Sequence, residues 1–138
     1  MSRMMFVNLP VADLGKSVEF FSQLGFDFNP QFTDETATCM IVGESNFVML
    51  LTGEKFGSFT PGLELCDTDK HSEVLVCLSA ESRAEVDTLL EKALAAGAAS
   101  YREPEDYGFM YGRSFRDLDG HIWEFMWMDP AAAQKNDV

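Results

Sequence analysis

The chain carries one pattern twice. A strand, a helix and further strands run from Met4 to about Gly53, and the same order runs from Glu73 to about Asp129. Strand Phe6-Val7-Asn8-Leu9-Pro10-Val11 precedes a helix that stops at Gly25, and strand Val74-Leu75-Val76-Cys77-Leu78-Ser79 precedes a helix that stops at Gly97. Val7 and Val76 lie 69 residues apart, Gly25 and Gly97 lie 72 apart, and the last strands are offset by about 74. A near-constant offset is the mark of a duplicated supersecondary unit. Two such units can curve their sheets around a concavity, where small-molecule sites tend to form.

The periodicities give each unit its elements. Asp13 suits a helix N-cap, and Leu14, Val18, Phe21 and Leu24 recur on one face behind it. Ser82-Arg83-Ala84-Glu85 has capping-box spacing, and Val86, Leu89, Leu90, Ala93 and Leu94 form the second stripe. Both stripes read as core. Strands are expected at 26–32, 38–42 and 47–52, and again at 99–103, 110–116 and 121–128. Asp117-Leu118-Asp119-Gly120 is a strong turn signal. Each unit is therefore β-α-β-β-β: half-unit 1 at about 4–53, a connector at 54–72 that is either a plain link or a lid, and half-unit 2 at about 73–129. The segment from Ala131 reads as a short exposed end.

At 138 residues, 46% of them hydrophobic, the chain fits a single domain of two half-units with ample core. Twelve Phe, two Trp and eight Met make that core, or a pocket, bulky and polarisable. A net charge of −13 argues against nucleic acid and anionic membrane surfaces as partners and is compatible with a cationic ligand. Three cysteines without CxxC or zinc-finger spacing, and no long apolar run, give a reduced cytoplasmic location as the expectation. Cys39 and Cys77 read as buried thiols.

Three motifs carry a resemblance over roughly Met4 to Asp129. They are Asn8-Leu9-Pro10-Val11-Ala12-Asp13-Leu14, then Ser17-Val18-Glu19-Phe20-Phe21 with Leu24-Gly25-Phe26, and Asp117-Leu118-Asp119-Gly120-His121-Ile122-Trp123-Glu124. Together with paired β-α-β-β-β units they resemble the vicinal oxygen chelate superfamily of glyoxalase I, extradiol dioxygenases and the bleomycin- and fosfomycin-resistance proteins. The ending Glu124-Phe125-Met126-Trp127-Met128-Asp129-Pro130 looks like a bacterial branch usually labelled predicted lactoylglutathione lyase. The resemblance implies an α+β fold of two tandem βαβββ units forming a cupped mixed sheet. One fold of this kind hosts many reactions.

Metal-dependent members of that superfamily place a His, Glu or Gln on the first and last strand of each half. Matched motif to motif, those places fall here on Phe6, Leu50, Leu75 and Glu124. Only Glu124 offers a metal donor, whereas a catalytic zinc typically takes three protein ligands. The expectation is thus no metal and no cofactor. Asn8 shares a strand face with Phe6, and Thr52 shares one with Leu50, so both are candidate ligand contacts beside Phe6, Leu50 and Leu75. Tyr111 and Arg113, alternating on the second half's middle strand, are two more. Of the two His, His121 points away from Glu124, and His71 with Glu73 reads as a solvated strand entrance.

Glu124 keeps three readings: a general base with its pKa raised by apolar neighbours, a charge that holds a cationic ligand, or a structural acid paired with Arg113 or Arg116. The functional expectation is a small-molecule binding protein that has largely lost the metal ligand set. The alternative is a lactoylglutathione-lyase-like isomerase or lyase with Glu124 as base and an unconventional metal. A homodimer is expected, because exposed strand Met and aromatic residues would leave an apolar patch on a monomer.

Overall fold

The computed structural model describes residues 3–135. The chain divides into two compact units, Met1–Asp67 and Thr68–Val138. Each holds one mixed sheet.

In the first unit β1 (Met5–Val11) leads into α1 (Leu14–Gln23). Asp13 caps α1 as expected, its carboxylate accepting the Lys16 N–H, and Gly25 ends the helix at φ +100°. Phe20, Phe21 and Leu24 are buried along this helix. The strands β2 (Asp27–Asn29), β3 (Ala37–Ile41) and β4 (Asn46–Thr52) complete a sheet of order β1-β4-β3-β2, in which β1 runs parallel to β4 and the other pairs are antiparallel. The strand expected at 26–32 stops at Asn29. Pro30 has no N–H for the ladder, and residues 30–32 turn into one 3-10 turn capped by the Asn29 side chain. Asp34 holds the next turn by accepting from the N–H groups of Thr36 and Ala37. The connector is not plain loop, because α2 (Gly53–Phe59) follows β4 directly.

The second unit repeats the plan with β5 (Leu75–Ser79), α3 (Arg83–Ala95), β6 (Ala99–Ser100), β7 (Glu105–Asp106), β8 (Met110–Arg116) and β9 (Ile122–Met128), followed by α4 (Pro130–Lys135). Its sheet order is β5-β9-β8-β6, with β7 also on β8 and β5 parallel to β9. Ser82 caps α3 by accepting the Glu85 N–H, while the Glu85 carboxylate takes the Glu81 N–H rather than that of Ser82. The single strand expected at 99–103 is two short pieces, with Arg102 and Pro104 in the break between them. The end expected from Ala131 begins inside α4, and residues 136–138 lie outside the described residues.

α3 packs on β8 and β9. Val86, Leu90 and Ala93 of the helix are buried, as are Phe115, Trp123 and Phe125 of the sheet. The β8–β9 turn is organised by Asp117. Its carboxylate accepts from the N–H groups of Asp119 and His121 and from the Trp123 indole at 2.8 Å. Burial foremost raises the pKa of this carboxyl, against the nearby His121 and these hydrogen bonds. The turn is clasped to the start of the unit, since Thr68 donates to the Asp119 carbonyl and Arg116 donates to the Thr68 carbonyl. No helix among the described residues is long and apolar enough to cross a membrane.

Candidate functional site

Strand register decides which side chains share a face. In the second unit Cys77 is the strand partner of Glu124, and Glu124 is the strand partner of Ser114. Partners across a ladder point the same way, so these three form one row across β5, β9 and β8. Leu75 and Ile122 form the row beside it. Phe115, Trp123 and Phe125 occupy the opposite face, which α3 covers.

Glu124 is joined to Arg102 by an ion pair, in which the guanidinium Nη2 donates to Oε2. The same guanidinium donates from Nε to the Ser114 hydroxyl at 3.2 Å and approaches the Glu105 carboxylate at 2.7 Å. The Cys77 thiol hydrogen-bonds to Glu124 from the other side. Burial, then that hydrogen bond and the Glu124 charge, push the Cys77 thiol up to about 11, against a smaller opposing pull from Arg102. Cys77 is therefore a neutral thiol at neutral pH, and Glu124 and Glu105 carry the negative charge of the cluster. No side chain reaches Glu124 from Gly112. A Cβ built there would stand 3.7 Å from the carboxyl carbon.

Several expected site residues lie elsewhere. Tyr111 and Arg113 are on the helix-covered face, where the Tyr111 hydroxyl donates to Asp87 at 2.6 Å and Arg113 pairs with Asp87 at 3.1 Å. They brace α3 and do not meet Glu124. The structural partner expected for Glu124 is Arg113 or Arg116, whereas the partner found is Arg102. Arg116 instead holds Thr68 and Asp69. Cys77, expected as a buried thiol, is an exposed residue whose sulfur is nonetheless partly desolvated beside Glu124, whereas Cys39 is buried. His121 is buried, away from Glu124, and bonds to Glu73 at 2.6 Å.

In the first unit Phe6 pairs with Phe47 and Asn8 with Met49, and the Phe6 and Phe47 rings stack at 5.0 Å. Phe6 and Asn8 thus share an exposed face, as expected, and the Asn8 amide donates to the Phe6 carbonyl. Leu50 does not join them. It pairs with Leu9 on the other face and is fully buried. Thr52, on the Leu50 face, is occupied as the N-cap of α2, accepting from the Lys55 N–H. The slip is one residue. With Phe6 set against Leu75, Asn8 falls on Cys77, and their partners Met49 and Glu124 fall on each other. A one-residue shift on a strand exchanges the faces.

A divalent metal does not fit the side chains at the four family places. Phe6 and Leu75 have no lone pair, Met49 offers only a weakly ligating thioether, and Glu124 is engaged by Arg102. Among the described residues no three His, Cys, Asp or Glu side chains gather as a metal site. Sequence reasoning missed Arg102, Ser114 and Cys77. For Cys77 a signal existed, because it stands two residues after Leu75 as Asn8 stands after Phe6.

Residues 3–43 match the family model "Bleomycin resistance protein-like N-terminal". No curated protein sequence matches the chain at a significant level. Among solved structures, the hypothetical protein SA1046 from S. aureus is 34% identical, with 92% of this chain and 95% of that one covered at a TM-score of 0.77. A glyoxalase/bleomycin resistance protein/dioxygenase family enzyme from Burkholderia phytofirmans PsJN is 16% identical, covering 92% and 99% at a TM-score of 0.79. A lactoylglutathione lyase from Agrobacterium tumefaciens is 16% identical, covering 92% and 94% at 0.68. Two mixed sheets of β-α-β-β-β plan, the N-terminal sequence match and a relative one-third identical along nearly its whole length agree: the chain belongs to one family with SA1046 and has the fold of the glyoxalase/bleomycin-resistance/dioxygenase proteins of the vicinal oxygen chelate superfamily.

Proposed function

We propose that the protein binds a small organic molecule on the open sheet face that carries Glu124, without the divalent metal of its metal-dependent relatives. One observation carries the reading. The row Cys77–Glu124–Ser114 presents a few convergent polar groups beside exposed Leu75, on the sheet face that α3 does not cover. Ligand sites commonly combine an apolar surface with a small number of placed polar groups. Phe6 and Asn8 offer a comparable exposed face in the first unit.

The lyase-like alternative needs Glu124 as a free general base, and the Arg102 ion pair weighs against it. The test is ¹⁵N-resolved NMR of the whole protein against a panel of small organic compounds that includes bleomycin and fosfomycin. Saturable shifts at Leu75, Cys77 and Glu124 are expected. A panel that leaves those signals unmoved would defeat the reading. Turnover of the glutathione–methylglyoxal hemithioacetal, lost in Glu124→Gln, would replace it with the lyase-like one.

A further inference from the structure

We infer that Arg102 is a tethered competitor for Glu124, and that this face takes a small organic cation with an apolar body, such as an amidine or guanidine. The inference rests on the binding reading above and names its ligand class.

The structure displays a planar cation already seated. The Arg102 guanidinium meets the Glu124 carboxylate, the Ser114 hydroxyl and the Glu105 carboxylate at once. That is the donor pattern an amidinium or guanidinium offers, a planar fork matched to carboxylates. Remove Arg102 and the seat consists of two carboxylates, a hydroxyl and a neutral thiol. It then carries about two negative charges on a chain of net charge −13, which repels anions and draws cations.

The occupant is not built into the sheet. Arg102 lies between β6 and β7, outside both ladders, and its side chain is 41% exposed while that of Glu124 is 12% exposed. Gly112 leaves the carboxylate unshielded from β8, since a Cβ there would lie 3.7 Å from both Cδ and Oε2. Exposed Leu75 stands one row away as the apolar floor. A ligand's cation can therefore replace the guanidinium without unpairing a strand.

A tethered group competes at an effective concentration in the millimolar range. It weakens the apparent affinity of a free cation by the inverse of the fraction of time the seat is vacant. If Arg102 is seated about nine-tenths of the time, the penalty is about tenfold.

The test uses three probes of one shape, benzamidine, benzamide and benzoate, with charges of plus one, zero and minus one. Each is titrated by NMR into the full-length wild type, Arg102→Met, and Arg102→Met combined with Glu124→Gln. The expected result is that benzamidine binds Arg102→Met tenfold or more tighter than wild type and loses that gain in the double variant, while benzamide is indifferent to both changes. Arg102→Gln, which keeps a hydrogen-bond donor and no charge, must repeat the gain, so that packing of the Met side chain does not decide the outcome. Unchanged benzamidine affinity in Arg102→Met, with benzamide still binding, overturns the inference and leaves the binding reading intact. Benzoate binding that Arg102→Met abolishes overturns it in favour of an anion site. No binding of any probe to any variant overturns both.

Discussion

Arg102 and Glu124 meet across 22 residues of sequence, one from the break between two short strands and the other from the interior of a third. The pair fixes the charge of the row that holds a thiol, a carboxylate and a hydroxyl together. Its influence is measurable at the thiol.

In Glu124→Gln the Cys77 thiol should titrate lower than in wild type. Its value of about 11 owes most to burial, and the hydrogen bond and charge of Glu124 supply the remainder. The substitution removes the charge and leaves the burial, so the pKa falls part of the way and stays above the ordinary range. The pH dependence of iodoacetamide alkylation at Cys77, followed by mass spectrometry, reads this directly. A profile identical in both proteins would contradict the row geometry. Stability should change by no more than about 1 kcal/mol, because the pair is partly exposed and Gln still accepts from Arg102.

Asp117→Asn should destabilise the protein by about 1–3 kcal/mol, since the new amide faces the Trp123 N–H with a donor instead of an acceptor. Its pH dependence has a definite sign. Burial raises the folded-state pKa of Asp117 above the unfolded value of 3.8. The contribution of this group is therefore fully present below 3.8 and is lost as pH rises through the raised value. The stability difference between wild type and variant should shrink with rising pH over that interval, as measured by urea unfolding at several pH values.

Gly120→Ala should cost more than Gly62→Ala, although the two residues have nearly the same φ, +83° and +84°. Both variants carry the left-handed penalty of about 1–2 kcal/mol. At Gly62 nothing stands within 4 Å of the new methyl, whereas at Gly120 it would collide with Thr68 Oγ1 and meet Arg116 Nη2 at 2.8 Å. The excess destabilisation measures the clasp between Thr68 and the β8–β9 turn. Equal melting temperatures would mean that the clasp yields freely.

Asp87→Asn should lower the Tyr111 phenol pKa, because the hydrogen bond to Asp87 is the largest cause holding it up. Absorbance titration near the ultraviolet band of the phenolate, with Tyr111→Phe as the reference, isolates this group. The melting temperature should fall only a little, since Asp87 is half-exposed and the amide oxygen still accepts from Tyr111 and Arg113.

We propose a homodimer. Met4 and Met5 are exposed at the start of β1, an edge strand of its own sheet. Sedimentation should report twice the 15.4 kDa chain mass at micromolar concentration. A species of single-chain mass throughout would disprove it.

The helices α1 and α3 and most strands were legible because their signals are local. Asp13 and Ser82 cap where capping chemistry says they should, and Gly25 and Gly97 stop the helices with positive φ. Strand faces were legible only where both partners were placed correctly. A repeat offset of 74 put Leu50 opposite Glu124, but register puts Met49 there, and one residue on a strand decides buried or open. Arg102 was out of reach for a different reason. Its partners Ser114 and Glu124 are 12 and 22 residues away, and no periodicity spans a break between two-residue strands.

The exchanged offset also says what the duplication left behind. Across the first sheet the row is Asn8, Met49 and Cys39; across the second it is Cys77, Glu124 and Ser114. The same backbone row is uncharged in one copy and charged in the other. The molecule thus carries its own reference state: a substitution in the first row reports how the scaffold tolerates a change of side chain, and the matching substitution in the second reports that tolerance plus the electrostatics. Met49→Glu would place a carboxylate on the matching row of the first copy, and setting its cost beside that of Glu124→Met would separate the tolerance of the scaffold from the electrostatics of the second row.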